Sequence, residues 1–151
     1  MKERWLIALI ALASAALFAI SVQAGHWWTV ETFELGPFGS RQCSNGECRP
    51  LGLAGIANAR WVRFGMATWA AGMVAMLVLV VLAAAIAGKR TPRTVAKMGM
   101  VAIATALVVG AGFVVLRPEL PGLHADRGLV MFGVAIVLGA AATLLVLRRR
   151  A

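Results

Sequence analysis

Residues 64–87 read FGMATWAAGMVAMLVLVVLAAAIA, twenty-four positions without a charged side chain. A helix over this stretch rises about 36 Å, enough to cross a hydrocarbon core of about 30 Å. Three further runs are equally free of charge: Trp5 to Ala24, Met98 to Leu116 and Gly128 to Leu147. With 61% apolar and only 14% charged residues in 151, the chain lies outside the soluble norm. The runs therefore predict four membrane spans, at about 5–24, 64–87, 98–116 and 128–147, in a single domain covering residues 1–151.

Charge orients the spans. Lys2, Arg4, Lys89, Arg90, Arg93, Lys97 and Arg148 to Arg150 make nine of the fifteen basic residues, and these segments carry one acid, Glu3. The intervening loops, 25–63 and 117–127, are nearly neutral. By the positive-inside rule both termini are expected in the cytoplasm of a cell membrane, with the 25–63 loop outside. The net charge of +9 is thus a topology signal, and no nucleic-acid partner is expected. Residues 1–24 also have the layout of a signal peptide ending at Val22-Gln23-Ala24. The spanning length and the rings of His26-Trp27-Trp28 favour a retained helix.

The 39-residue outer loop is too long for a simple connector. Its core is Arg41-Gln42-Cys43-Ser44-Asn45-Gly46-Glu47-Cys48-Arg49. Asn45-Gly46 predicts a two-residue type I′ turn, because both central positions need positive φ. Ser44 and Glu47 then close the turn. Cys43 and Cys48 face each other as a non-hydrogen-bonded pair, at a separation that suits a disulfide. An exterior location permits that oxidation. Trp28 to Leu35 has strand composition, and turn residues follow at Gly36-Pro37 and Gly39-Ser40. The expected fold is an all-α membrane protein: an up-down four-transmembrane-helix bundle, with a disulfide-stapled antiparallel sheet of about three strands in the first extracytoplasmic loop. Leu51 to Arg60 reads as a helical lead-in to the second span.

Each span carries small residues four apart: Ala11, Ala15, Ala19; Ala67, Ala71, Ala75; Ala102, Ala106, Gly110; Ala135, Gly139, Thr143. Such ladders let apolar helices approach closely. No ionisable residue lies within the spans, which weighs against a transporter or an intramembrane catalyst formed by this chain alone. Trp5, Trp27, Trp28 and Trp61 fall at span ends and read as anchors, with recognition second; Trp69 lies inside its span and reads as interhelical packing. Arg60 and Arg63 are placed either to pair with Glu31, Glu34 or Glu47 or to snorkel to the outer interface. A zinc site of His26, His124 and both cysteines has scattered spacing and is not expected; no metal and no cofactor is predicted.

The arrangement resembles the claudin and peripheral-myelin-protein superfamily of four-span proteins, in Trp27 or Trp28 early in the loop, Cys43 with Cys48 across a hairpin, and Ala59-Arg60 entering the second span. Gly36-Pro37-Phe38 stands where that superfamily has Gly-Leu-Trp, the cysteines are closer together and the loop is shorter. The resemblance implies the architecture and the cysteine pairing; the small-residue faces and the stapled outer sheet point to a non-enzymatic role in lateral association and outer recognition, claudin-like structural, adhesive or as an accessory subunit. The partners this role implies are membrane lipids and either a second copy of the chain or other membrane subunits. Two other readings remain open: a thiol-disulfide or quinone-linked oxidoreductase using Cys43 and Cys48, and a small transporter subunit that borrows polar groups from neighbours.

Overall fold

The computed structural model describes residues 2–51, 59–88 and 93–148. Four helices form in chain order: α1 (Lys2–Gln23), α2 (Ala59–Ala87), α3 (Arg93–Val115) and α4 (Arg127–Arg148). Each is long and apolar enough to cross a membrane. Two of them begin about five residues before the corresponding apolar run, because the backbone ladder continues through charged residues such as Arg60, Arg63 and Lys97 after hydropathy has fallen. The helices form an antiparallel ring in which α1 packs on α2 and α4, and α3 completes the circle.

In α1, α2 and α4 a set of buried positions recurs at spacings of four and three, while in α3 the spacing is less regular. In α2 Trp61, Gly65, Thr68, Gly72, Ala75, Leu79, Leu82 and Ile86 alternate four and three apart, with Ala83 buried beside them. Ile7, Ala11, Ser14, Phe18 and Ser21 repeat the pattern in α1, and Gly128, Phe132, Ala135, Gly139, Ala142 and Val146 in α4. Spacings of four and three keep one face of each helix, its seam, toward its neighbours. Many seam residues are small, while Leu9, Leu77, Val101 and Val137 point outward and are exposed. Close approach follows from size: a Cβ on Gly72 would lie 2.7 Å from Val22 Cγ1, and one on Gly139 would lie 2.8 Å from Ser14 Oγ. Ser14 Oγ also donates to the Ala135 carbonyl at 2.7 Å, joining α1 to α4. Three of the small-residue ladders lie largely on this seam. The ladder in α2 does not: Ala67 is exposed, Ala71 half-buried, and the seam runs through Gly65, Thr68 and Gly72 instead.

At one end of the ring lies an antiparallel sheet of five strands, where about three were expected. They are β1 (Trp28–Val30), β2 (Phe33–Leu35), β3 (Ser40–Ser44), β4 (Glu47–Leu51) and β5 (His124–Ala125), in the spatial order β4-β3-β2-β1-β5. Two differences explain the count. Trp28 to Leu35 is two strands, since Glu31 takes a φ of 49° and turns the chain tightly between Val30 and its partner Phe33. No Gly or Asn marks that turn. The fifth strand comes from the loop between α3 and α4, pairing Trp28 with Ala125 and Thr29 with His124. Both connections at this end thus belong to one sheet.

The hairpin of β3 and β4 has the expected register, Ser44 opposite Glu47 and Cys43 opposite Cys48. Asn45 and Gly46 have φ of 53° and 84°, as a type I′ turn requires. Cys43 and Cys48 form a disulfide across Cα atoms 4.1 Å apart. The expected helical lead-in falls mostly on residues 52–58, outside the described residues; Leu51 ends β4, and Ala59 and Arg60 open α2. Lys89, Arg90, Arg149 and Arg150 also lie outside the described residues.

Candidate functional site

Six aromatic rings cluster where the sheet meets the bundle, one from each helix and two, Trp27 and Trp28, from the chain entering the sheet. Trp61 of α2 stacks on Phe113 of α3 at 4.6 Å, Trp28 of β1 meets Phe113 at 5.0 Å, and Trp27 meets Phe132 of α4 at 4.7 Å. Phe18 of α1 packs edge-on to Phe132 at 5.5 Å. Trp27, Trp28 and Trp61 are at most 1% exposed. Although their positions at span ends suggested anchors, these indoles are buried against one another and against phenylalanine rings, whereas Trp5 is 60% exposed. The reason is in the backbone. A helix leaves its last four carbonyls without intrahelical partners, and burying them bare is costly. Trp27 Nε1 donates to the Ser21 carbonyl in the last turn of α1 at 3.0 Å, and Trp61 Nε1 to the Phe113 carbonyl in the last turn of α3 at 2.9 Å. Each indole supplies both apolar area and a donor where a buried helix end needs one.

A second set of backbone bonds locks the two loops together. Gly128 N donates to the His26 carbonyl at 3.0 Å, Asp126 N to the Trp27 carbonyl at 2.9 Å, and Trp27 N to the Leu35 carbonyl at 2.8 Å. Gly128 sits so close to His26 that a Cβ there would lie 2.8 Å from the His26 carbonyl carbon.

Beside this junction a cleft of about 310 Å³ opens between the last turn of α1 and the sheet. His26, Glu34 and Arg41 are its ionisable residues, with Phe38 and Leu51 on the apolar side. Glu34 Oε2 accepts from Arg41 Nε and lies 3.1 Å from His26 Nε2. Arg41 is the cross-strand partner of Glu34, so strand register sets this pair. Burial holds the His26 imidazole below its ordinary pKa; the Glu34 carboxylate opposes this, the Arg41 guanidinium adds to it, Asp126 opposes and Arg127 adds. With its pKa lowered, the imidazole at neutral pH is uncharged and donates to Glu34 as a neutral N–H, a clasp between the chain leaving α1 and strands β2 and β3.

The remaining site residues are dispersed. Arg60 and Arg63 are exposed at the start of α2 and form no ion pair among the described residues; Glu34 is taken by Arg41 and His26. Trp69 is half-buried and packs on Phe38 at 5.2 Å. His124 lies in β5 at one edge of the sheet, with β1 and β2 between it and the strands that carry Cys43 and Cys48. Those four residues therefore do not converge as zinc ligands, and the cysteines are bonded to each other.

The cysteine hairpin forms the opposite edge. All five residues of β4 are exposed, including Leu51 at 41%, and among the described residues the outer side of this strand has no neighbour in the sheet. Sequence reasoning located the hairpin and its staple, but not the clasp of His26 and Glu34, whose partners become adjacent only when β2 pairs with β3. The chain matches no protein-family model, and comparison with curated proteins finds no match.

Proposed function

We propose that the chain is a non-enzymatic multi-pass membrane protein, with both termini in the cytoplasm and the sheet outside, that works by recognising a protein through the edge formed by β3 and β4. The observation that carries this reading is the contrast between the two edges of the sheet. One is tied to α4 through β5, Asp126 and Gly128. The other projects a strand exposed along its whole length, held by Cys43–Cys48. A strand edge presents unpaired N–H and C=O groups to a partner, and Pro50 with the charges of Glu47 and Arg49 restrains indiscriminate pairing. The aromatic floor keeps that edge in shape, which lowers the entropy of binding.

The partner is a second copy or another membrane subunit, as in a claudin-like structural, adhesive or accessory role. The small-residue seam is consumed within the bundle, so lateral association in this reading uses the larger outward side chains. The oxidoreductase reading is weaker because the chain has a single cysteine pair, and such chemistry passes electrons between two.

The test places a photoreactive residue at Arg49 and, separately, at Val137 on the exposed face of α4, and crosslinks in native membranes. A defined protein adduct from position 49 that disappears in the Cys43→Ser background is expected. No adduct from position 49, or one that survives loss of the disulfide unchanged, counts against edge recognition. A measured reduction potential above about −200 mV would favour thiol exchange instead, since structural disulfides lie below about −300 mV.

A further inference from the structure

Outside the sheet, one surface combines a single polar end with a long apolar track. Between α2 and α3 a groove of about 580 Å³ is lined by Val74 and Val78 on one side and by Met98, Val101 and Thr105 on the other, with Thr94 and Lys97 at the end away from the sheet. A second hollow, of about 360 Å³, shares Val101 and Thr105 and continues the track to Val108 and Val109. From Lys97 to Val109 the helix rises about 18 Å, close to half of a hydrocarbon core of about 30 Å. Thr105 Oγ1 donates to the Val101 carbonyl of its own helix at 2.9 Å, which satisfies that hydroxyl and leaves the track apolar.

The polar end has one sign. Lys97 is exposed and has no ion pair among the described residues. Thr94, one helical turn earlier, lies on the same face, and the first turn of α3 carries no acid to offset its dipole. The sequence has no acidic residue between Glu47 and Glu119, so neither helix supplies a counter-ion. A ligand fitted to both ends has an anionic head and an apolar tail about one leaflet long.

We infer that the groove between α2 and α3 binds an anionic phospholipid, its headgroup at Lys97 and Thr94 and one acyl chain along Val101 to Val109. This rests on the membrane reading above and adds to it a defined lipid site. Lys97 supplies the selectivity for charge, and the track supplies most of the contact.

The test uses the full chain in detergent and native mass spectrometry with dioleoyl phosphatidylglycerol or dioleoyl phosphatidylcholine. The wild type is expected to retain the anionic lipid about five-fold more than the zwitterionic one, as one basic residue at the surface provides. Lys97→Gln should bring the ratio towards one. Val101→Trp fills the track from an exposed position and should reduce retention of both lipids, while Val137→Trp on α4 should change neither. Tryptophan emission matched to wild type, or to Val137→Trp for the tryptophan variants, confirms that each variant is folded. An unchanged lipid ratio in Lys97→Gln overturns the inference, as does undiminished lipid on Val101→Trp. Loss of a dimer peak, in place of lost lipid, on Val101→Trp also overturns it, because a second copy would then cover the groove. Flotation with vesicles separates the two proposals: a chain that fails to float defeats the membrane reading, and one that floats without lipid preference defeats only the lipid site.

Discussion

Gly128→Ala tests how the two loops are locked together. A methyl group at this position meets only backbone, with the His26 carbonyl carbon at 2.8 Å and the Gly25 carbonyl carbon at 2.9 Å. Neither atom is the free end of a side chain, so α4 or the chain after α1 must withdraw by several tenths of an ångström. Overpacking of this kind costs about 1–3 kcal/mol. The retreat also lengthens the bond from Gly128 N to the His26 carbonyl, now 3.0 Å, worth about 1 kcal/mol. It further separates Phe132 from Trp27. Against this, Ala is the better helix former by at most about 1 kcal/mol. The net expectation is a loss of about 1–3 kcal/mol. Gly133→Ala, in the same helix, is the control, because a Cβ there has nothing within 4 Å. It should be neutral or stabilising by up to about 1 kcal/mol. Unfolding of the full chain in mixed micelles with rising dodecyl sulfate, followed by tryptophan fluorescence, measures both variants. If Gly128→Ala proves as stable as Gly133→Ala, the close contact between α4 and His26 does not limit packing at this end.

Three other perturbations follow from the same geometry. Trp27→Phe keeps an aromatic ring but strips the donor from the buried Ser21 carbonyl, and should cost about 1–3 kcal/mol; Trp28→Phe removes an Nε1 that is buried without a partner and should cost less, as paired unfolding curves would show. Cys43→Ser removes a disulfide closing a short loop, a loss of at most about 2 kcal/mol confined to the hairpin; trypsin should then cut faster after Arg41, and unchanged cleavage would defeat the staple. The His26 pKa is depressed in the folded state, so its contribution is fully present above the unfolded value of about 6.5 and is lost as pH falls from there through the folded value. Stability compared between pH 8 and pH 5 should fall more for wild type than for His26→Gln; equal falls would refute burial of the imidazole as the cause of its lowered pKa.

What could be read from sequence was governed by local rules. Four uncharged runs of spanning length specify four helices, since only an internally hydrogen-bonded segment is stable in an apolar solvent. Asn45-Gly46 specifies the turn, and hence the register that brings Cys43 to Cys48, since few residues take positive φ at low cost. The orientation of each helix in the bundle was far less legible. In most soluble helices one apolar face marks the core, but here both faces are apolar, and the seam is distinguished by its enrichment in Gly, Ala, Ser and Thr, with larger side chains such as Leu79 and Leu82 buried among them. Ladders four apart captured that seam in α1, α3 and α4 and missed it in α2, where Gly65, Thr68, Gly72 and Ala75 alternate spacings of three and four.

Hydropathy, helix length and turn chemistry act over a few residues, so the four helices and the stapled hairpin were legible in the sequence, while the number of strands was not. Only the tertiary structure decided that Trp27, Trp28 and Trp61 form a buried floor, that β5 joins the sheet and that Glu34 holds both His26 and Arg41. The bond of Trp61 to the Phe113 carbonyl and the pairing of β5 join distant parts of the chain. The bonds of Trp27 to Ser21 and of Arg41 to Glu34, six and seven residues apart, form only once the turn after α1 and the strand register are in place. No periodicity in the sequence encodes these contacts.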